Sequence, residues 1–230
     1  NKSYREQIQL PEKLVAELAK QETITVNTWK KAKAQKNFNL LKPELQKLLD
    51  LSKQAAEILM KVKETKTPYE ALIDSFEPKM TAEKITAAFD KLQQGLRPLL
   101  NKIQQTQTRP DTTILDQTVP VETQRQIAQL ITQMLGYDTS SPQASGRIDE
   151  TEHPFTSGTY EDVRITTHYH PNNFASSIFS VLHESGHALY ELNLNSEWKY
   201  QPIGAPCSYG IHESQSRLYE NVIGRSKEFW

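Results

Sequence analysis

The sequence has one cysteine, Cys207, so no internal disulfide framework can form, and a reducing, cytoplasmic setting is expected. Cys207 lies between Pro206 and Ser208, away from any Cys-x-x-Cys pattern, and is assigned no catalytic part. No apolar run approaches the length of a membrane span, so no membrane partner is expected. Neither sign of charge dominates: 27 lysines and arginines face 28 aspartates and glutamates, which leaves no basic surface for nucleic acid. No internal repeat of fixed period is evident either, so no solenoid is expected. The chain opens on Asn1 without methionine or an apolar targeting core and closes on Phe229-Trp230 in helical text. Both ends read as cut, and flanking sequence is expected.

What remains is a chain of 230 residues with 37% hydrophobic content, enough for a packed core in one large domain or two small ones. From Tyr4 to about Gln107 it reads as successive helices. Pro11 opens one carrying Leu14, Val15, Leu18 and Trp29, and Pro43 is expected to open the next, with Leu45, Leu48, Leu49, Ile58 and Leu59 as its apolar stripe. Thr67-Pro68 starts a short helix to Phe76. Thr81 is expected to cap another, bearing Ile85, Ala88, Phe89, Leu92 and Leu96, which Pro98 should kink or end. The mixed charges along these helices read as solvated faces.

Past the loop from Arg109 to Pro120, Val121 to Leu135 is helical and Gly136 stops it. The character then changes. Residues 160–169 have a strand's alternation, with Asp162, Arg164, Thr166 and His168 on one face and Val163, Ile165, Thr167 and Tyr169 on the other. A short strand around Arg147-Ile148 is expected to pair with it. Asn172 or Asn173 should cap the helix that follows.

That helix carries Phe179-Ser-Val-Leu-His-Glu-Ser-Gly-His-Ala-Leu-Tyr190, an H-E-x-x-H pattern. Projected at about 100° per residue, Ser176, Ser180, His183, Glu184, His187 and Glu191 share one side, and Phe174, Ile178, Val181, Leu182, Ala188, Leu189 and Leu192 the other. Two imidazoles at i and i+4 can converge on one metal ion, and Glu184 can reach a water there without being a ligand. A catalytic zinc usually takes three protein ligands. Glu213, Glu220, Glu191, His153 and the His168/His170 pair are all candidates for the third. Ser208 to Trp230 reads as a closing helix with Ile211, Leu218, Val222 and Phe229 as its buried stripe and Glu213, Arg217 and Glu220 opposite.

Several motifs stand in a familiar order: His153-Pro-Phe155, Asp162-Val-Arg-Ile-Thr166, His183-Glu-Ser-Gly-His187 and His212-Glu-Ser-Gln215. With Tyr69 to Pro78, Arg109-Pro-Asp-Thr112 and Ser216 to Ser226, they make nearly the whole chain resemble the carboxypeptidase Taq family of metallocarboxypeptidases. The resemblance implies a mainly α, zincin-like fold with a small β-sheet beside an active-site cleft. It also implies one divalent metal ion per chain, zinc or cobalt, a peptide substrate shortened from its C-terminus, and a homodimer at full length. Gluzincin peptidases take their third ligand from a glutamate on a later helix. Carried over residue by residue, His183, His187 and Glu213 become the ligands and Glu184 the general base.

Asp162, Arg164, Thr166 and His153 are the substrate-binding candidates, Arg164 being equally open to an ion pair with Asp162 and His153 to a structural part. His212 is expected to support a ligand or to serve the structure rather than to bind metal, and Arg217 and Glu220 either orient Glu213 or form a surface i, i+3 pair. The chain departs from the family at His168, where arginine is common, and it lacks the family's later arginine/alanine-aspartate and histidine-tryptophan motifs. The expected organisation is a single, truncated catalytic domain, with residues 1–146 a helical scaffold and residues 147–230 the strand and metal helices. An internally cutting gluzincin oligopeptidase and a catalytically incompetent helical fragment are the alternatives.

Overall fold

The computed structural model describes residues 2–106 and 108–230, with side chains from Tyr4 onward. Gln107, where the helical run was expected to finish, lies outside the described residues. The chain forms two compact units, residues 1–101 and residues 102–230.

The first unit is helical: α1 (Lys2–Gln7), α2 (Glu12–Ala34), α3 (Phe38–Lys63), α4 (Pro68–Phe76) and most of α5 (Ala82–Gln105). Leu14 of α2 packs with Leu51 and Ala55 of α3. Pro43 does not open α3, as the sequence suggested. Asn37 does: its side chain accepts a hydrogen bond from the Asn39 amide at 3.1 Å, and Pro43 falls inside the helix. The buried side of α3 is Leu51, Ala55 and Ala56, and Leu49 is exposed. Thr67 caps α4 through the Glu70 amide, as its sequence predicts. The Lys63 side chain is buried but compensated, near Glu6 and Asp74 and donating to Ser75 Oγ at 2.6 Å. Pro98 does not end α5, which runs on to Gln105. Proline costs one backbone bond there and the helix continues around it. Phe89, Leu92 and Leu96 of α5 are exposed.

The second unit positions the site. After a 3₁₀ turn at Thr113–Asp116 comes α6 (Val121–Met134), ended through Gly136 at φ +76°, a left-handed conformation that costs glycine little. Three strands follow, β1 (Ile148–Glu150), β2 (Thr156–Thr159) and β3 (Asp162–Thr167), in the order β1-β3-β2. β1 is parallel to β3 and β2 antiparallel to it, with Thr156 opposite Ile165. β2 was not foreseen, because Thr156-Ser-Gly-Thr159 carries no apolar alternation; only its pairing with β3 makes it a strand. On β3, Val163, Ile165 and Thr167 turn inward as the alternation predicts.

Those strand residues meet α7 (Phe174–Leu192), whose Ile178, Val181, Leu182 and Ala188 join Ala128 and Ile131 of α6 in one core. Burying each of the larger side chains stabilises the unit by about 1.5–3 kcal/mol. Asn173 is the N-cap residue of α7 but makes no side-chain cap bond. Gln124 of α6 secures the approach instead, donating to the carbonyls of Val119 and His170, each at 2.9 Å, while accepting from Ser177 Oγ. Among the described residues, no helix is long and apolar enough to cross a membrane.

The C-terminal segment corrects the sequence reading. Helix α8 (Tyr209–Arg217) passes into a π-helical stretch, Leu218–Ile223, and then into turns, so Trp230 is not in mid-helix. Ile211, Leu218 and Val222 are 46%, 41% and 66% exposed and do not form a buried stripe. The inward face holds Ser216 and Glu220 instead, because α8 and the π-helical stretch turn polar groups toward α7.

Candidate metal centre

One helical turn separates His183 from His187, and their rings stand 4.9 Å apart on one face of α7. Glu213 comes from α8, whose start is fixed by Ser208 accepting from the Ile211 amide. Glu213 Oε2 lies 3.7 Å from His183 Nε2 and 3.4 Å from His187 Nε2. All three donor atoms fall within 4.8 Å of one another. The two helices can come this close because Gly186 has no side chain. A Cβ there would sit 2.6 Å from the Gln215 carbonyl oxygen.

Around the three donors is a layer of fixed partners. Glu220 Oε2 accepts from His183 Nδ1 at 2.9 Å, and Glu220 is itself held by Arg217 and Arg225. Burial opposes Glu220's ionised form, but the hydrogen bonds from His183 and Arg225 outweigh it and hold the carboxyl below its ordinary value. Arg217 Nε also donates to Glu213 Oε1 at 2.9 Å, leaving Oε2 toward the histidines. His212 touches His187, Nδ1 to Nδ1, at 2.6 Å. Burial pushes His187 down to about 4, and any positive charge on the neighbouring His212 or His183 acts in the same direction. Its ring is therefore neutral at pH 7.

Glu184 is only 5% exposed. Burial raises its pKa, against a hydrogen bond from Thr156 and the charges of His183 and His153. Thr156 Oγ reaches Glu184 Oε2 at 2.6 Å, an arrangement that sequence reasoning missed. A threonine hydroxyl in an unpatterned segment carries no signal until β2 brings it under α7.

A profile described as Carboxypeptidase Taq (M32) metallopeptidase matches residues 1–230. The chain belongs to that family. It is 40% identical to Thermostable carboxypeptidase 1 of Thermus thermophilus, over 96% of this chain and 44% of that protein. To Carboxypeptidase 1 of Bacillus subtilis it is 36% identical, over 100% of this chain and 44% of the relative. The BsuCP crystal structure superposes with a TM-score of 0.92 at 35% identity, covering 99% of this chain and 44% of that one. This M32 chain thus spans less than half the length of the curated relatives it matches. The shared fold is mostly helical with a small sheet.

Membership in the M32 metallopeptidases implies a divalent metal, and the donor set can be tested for fit. In a tetrahedron whose corners lie about 2.1 Å from its centre, the corners are about 3.4 Å apart. The separations of Glu213 Oε2 from the two imidazole nitrogens, 3.7 and 3.4 Å, suit such a site. Two imidazoles and a carboxylate are also a donor set that zinc accepts.

The other candidates are placed elsewhere. Glu191 pairs with His212, and the His168 and His170 rings lie tilted against each other, centroids 4.2 Å apart, with His168 Nδ1 on the Thr151 carbonyl. Arg164 grips Asp162 through two hydrogen bonds of 2.8 Å on the exposed face of β3. Thr166 Oγ ties down Phe155, accepting from its amide at 2.8 Å. His153 is exposed, near enough for its charge to act on Glu184.

Proposed function

We propose that this chain is the metal-binding part of a longer M32 metallocarboxypeptidase that removes C-terminal residues from peptides. The reading rests on one observation: His183 Nε2, His187 Nε2 and Glu213 Oε2 converge beside the buried carboxylate of Glu184. In this proposal both compact units belong to one catalytic domain, the full-length protein works as a cytoplasmic homodimer, and the three donors hold one zinc or cobalt ion. When bound, such an ion supplies charge that acidifies water and polarises a carbonyl.

The chain's own residues do the rest. Arg217 and Glu220 keep Glu213 and His183 in place, so that little reorganisation is needed during reaction. Thr156 fixes Oε2 of Glu184, which leaves Oε1 to take a proton from the attacking water and return it to the leaving amine. Burial keeps that carboxylate basic enough to accept the proton. Arg164 and Asp162, locked together beside β2, present a rigid polar strand face on which a peptide backbone can lie.

The test uses the full-length protein. Glu184→Gln should retain one equivalent of zinc and lose nearly all release of C-terminal residues; normal turnover in that variant would remove Glu184 from its role. C-terminally amidated peptides should resist. Internal cleavage of amidated peptides as fast as free acids lose their last residue would make the enzyme an oligopeptidase instead.

A further inference from the structure

His183 and His187 must both offer Nε2, and a neutral imidazole does so only when its proton sits on Nδ1. For His183 the fixing group is direct, the carboxylate of Glu220 at 2.9 Å. His187 has no carboxylate on its Nδ1. Its partner there is another imidazole, His212 Nδ1 at 2.6 Å, and His212 Nε2 lies 2.9 Å from Glu191 Oε1.

The proton positions in this chain follow from its end. An ionised carboxylate only accepts, so His212 carries its proton on Nε2 and donates to Glu191. In the neutral ring, Nδ1 of His212 is then an acceptor. Only His187 Nδ1–H can fill it, and His187 is left with a lone pair on Nε2, the atom facing Glu213. The connection crosses between helices twice. Glu191 stands four residues after His187 on α7, whereas His212 projects from α8 next to Glu213. The Tyr190 ring meets His212 edge-on, with centroids 5.1 Å apart, and limits its rotation.

We infer that His212 and Glu191 are positioning residues, a two-step relay that sets the tautomer of His187 and ties the orientation of one proposed ligand to the helix bearing another. The inference deepens the proposed metal site and rests on it. Glu191 and His212, both open as alternative ligands or supports on sequence grounds, have a single joint task.

Zinc dissociation constants of the full-length protein, measured by chelator competition at pH 7.5, test it. His212→Leu removes the acceptor and should weaken zinc binding about 10- to 100-fold. His212→Asn places an amide oxygen where Nδ1 was and should restore affinity to within a few-fold of wild type. Glu191→Ala should fall between them, because His212 can then adopt either tautomer. Thermal unfolding of the metal-free variants identifies any that misfold, and the Asn and Ala variants carry the test if Leu does. Unchanged zinc affinity in both His212→Leu and Glu191→Ala would overturn the relay, as would His212→Asn failing as badly as Leu. Wild-type protein that binds no zinc, or binds it equally well after His183→Leu, would overturn the metal site itself and the relay with it.

Discussion

Gly186 on α7 lies against Ser216 on α8 so closely that a Cβ at Gly186 would stand 2.7 Å from the Ser216 Cα. Ser216 is fully buried, and its hydroxyl donates to the Glu213 carbonyl at 2.7 Å. The contact therefore sets how far Glu213 stands from His183 and His187.

Gly186→Ala gains helix propensity but must push backbone aside, so the overpacking cost of about 1–3 kcal/mol is expected to dominate. The melting temperature should fall, and zinc affinity should fall with it as Glu213 is displaced. Unchanged melting and zinc binding would show that α8 does not need the glycine to seat itself.

Thr156→Val keeps the shape and removes the hydroxyl that reaches Glu184. A hydrogen bond to a charged group is worth about 1.5–3 kcal/mol, so kcat/KM of the full-length enzyme should drop about 10- to 100-fold. Because that bond lowers the pKa of Glu184, the acid limb of the pH profile should move to higher pH. Thr156→Ser should behave as wild type; a Ser variant as impaired as Val would locate the effect in packing.

His187 sits at about 4 when folded, against 6.5 for an ordinary histidine. Between those values the unfolded chain binds a proton that the folded chain does not. Its contribution to stability is thus fully present above pH 6.5 and is lost as pH falls toward about 4. Glu184, raised by burial, acts in the opposite sense in the wild type and in His187→Gln alike. Denaturant midpoints of metal-free protein should consequently decline more steeply with acid in wild type than in His187→Gln. Saturating zinc, which competes with the proton, should move the decline to lower pH. Parallel slopes in the two proteins would contradict the assignment.

Tyr137 is fully buried and its hydroxyl donates to the Val163 carbonyl near the start of β3. Tyr137→Phe should cost about 1–3 kcal/mol by leaving that carbonyl unpaired. Burial raises the phenol's pKa, so the tyrosine's advantage is present below its ordinary value of 10.0 and is lost as pH rises beyond it. Urea titrations from pH 8 to 11 should show the difference between the two proteins shrinking.

Much of this protein is written locally. The H-E-x-x-H spacing, the apolar side of α7, the alternation on β3, the Thr67 cap and the Gly136 stop all depend on neighbours a turn or a strand step away, which the sequence displays directly. Pro43 does not start its helix and Pro98 does not end its own, because a proline's local cost does not settle whether a long helix starts, stops or continues.

Tertiary structure decided the rest. Periodicity shows that Glu213, Arg217 and Glu220 share a face, but water and a facing histidine leave the same pattern, and only the docking of α8 on Gly186 distinguishes them. Thr156 acquires a partner only when β2 pairs with β3, and the proton order from Glu191 through His212 to His187 exists only where two helices interleave their side chains. Hydrogen-bond direction is a property of atoms brought together in space, so it follows the packing of distant segments and leaves no period in the sequence.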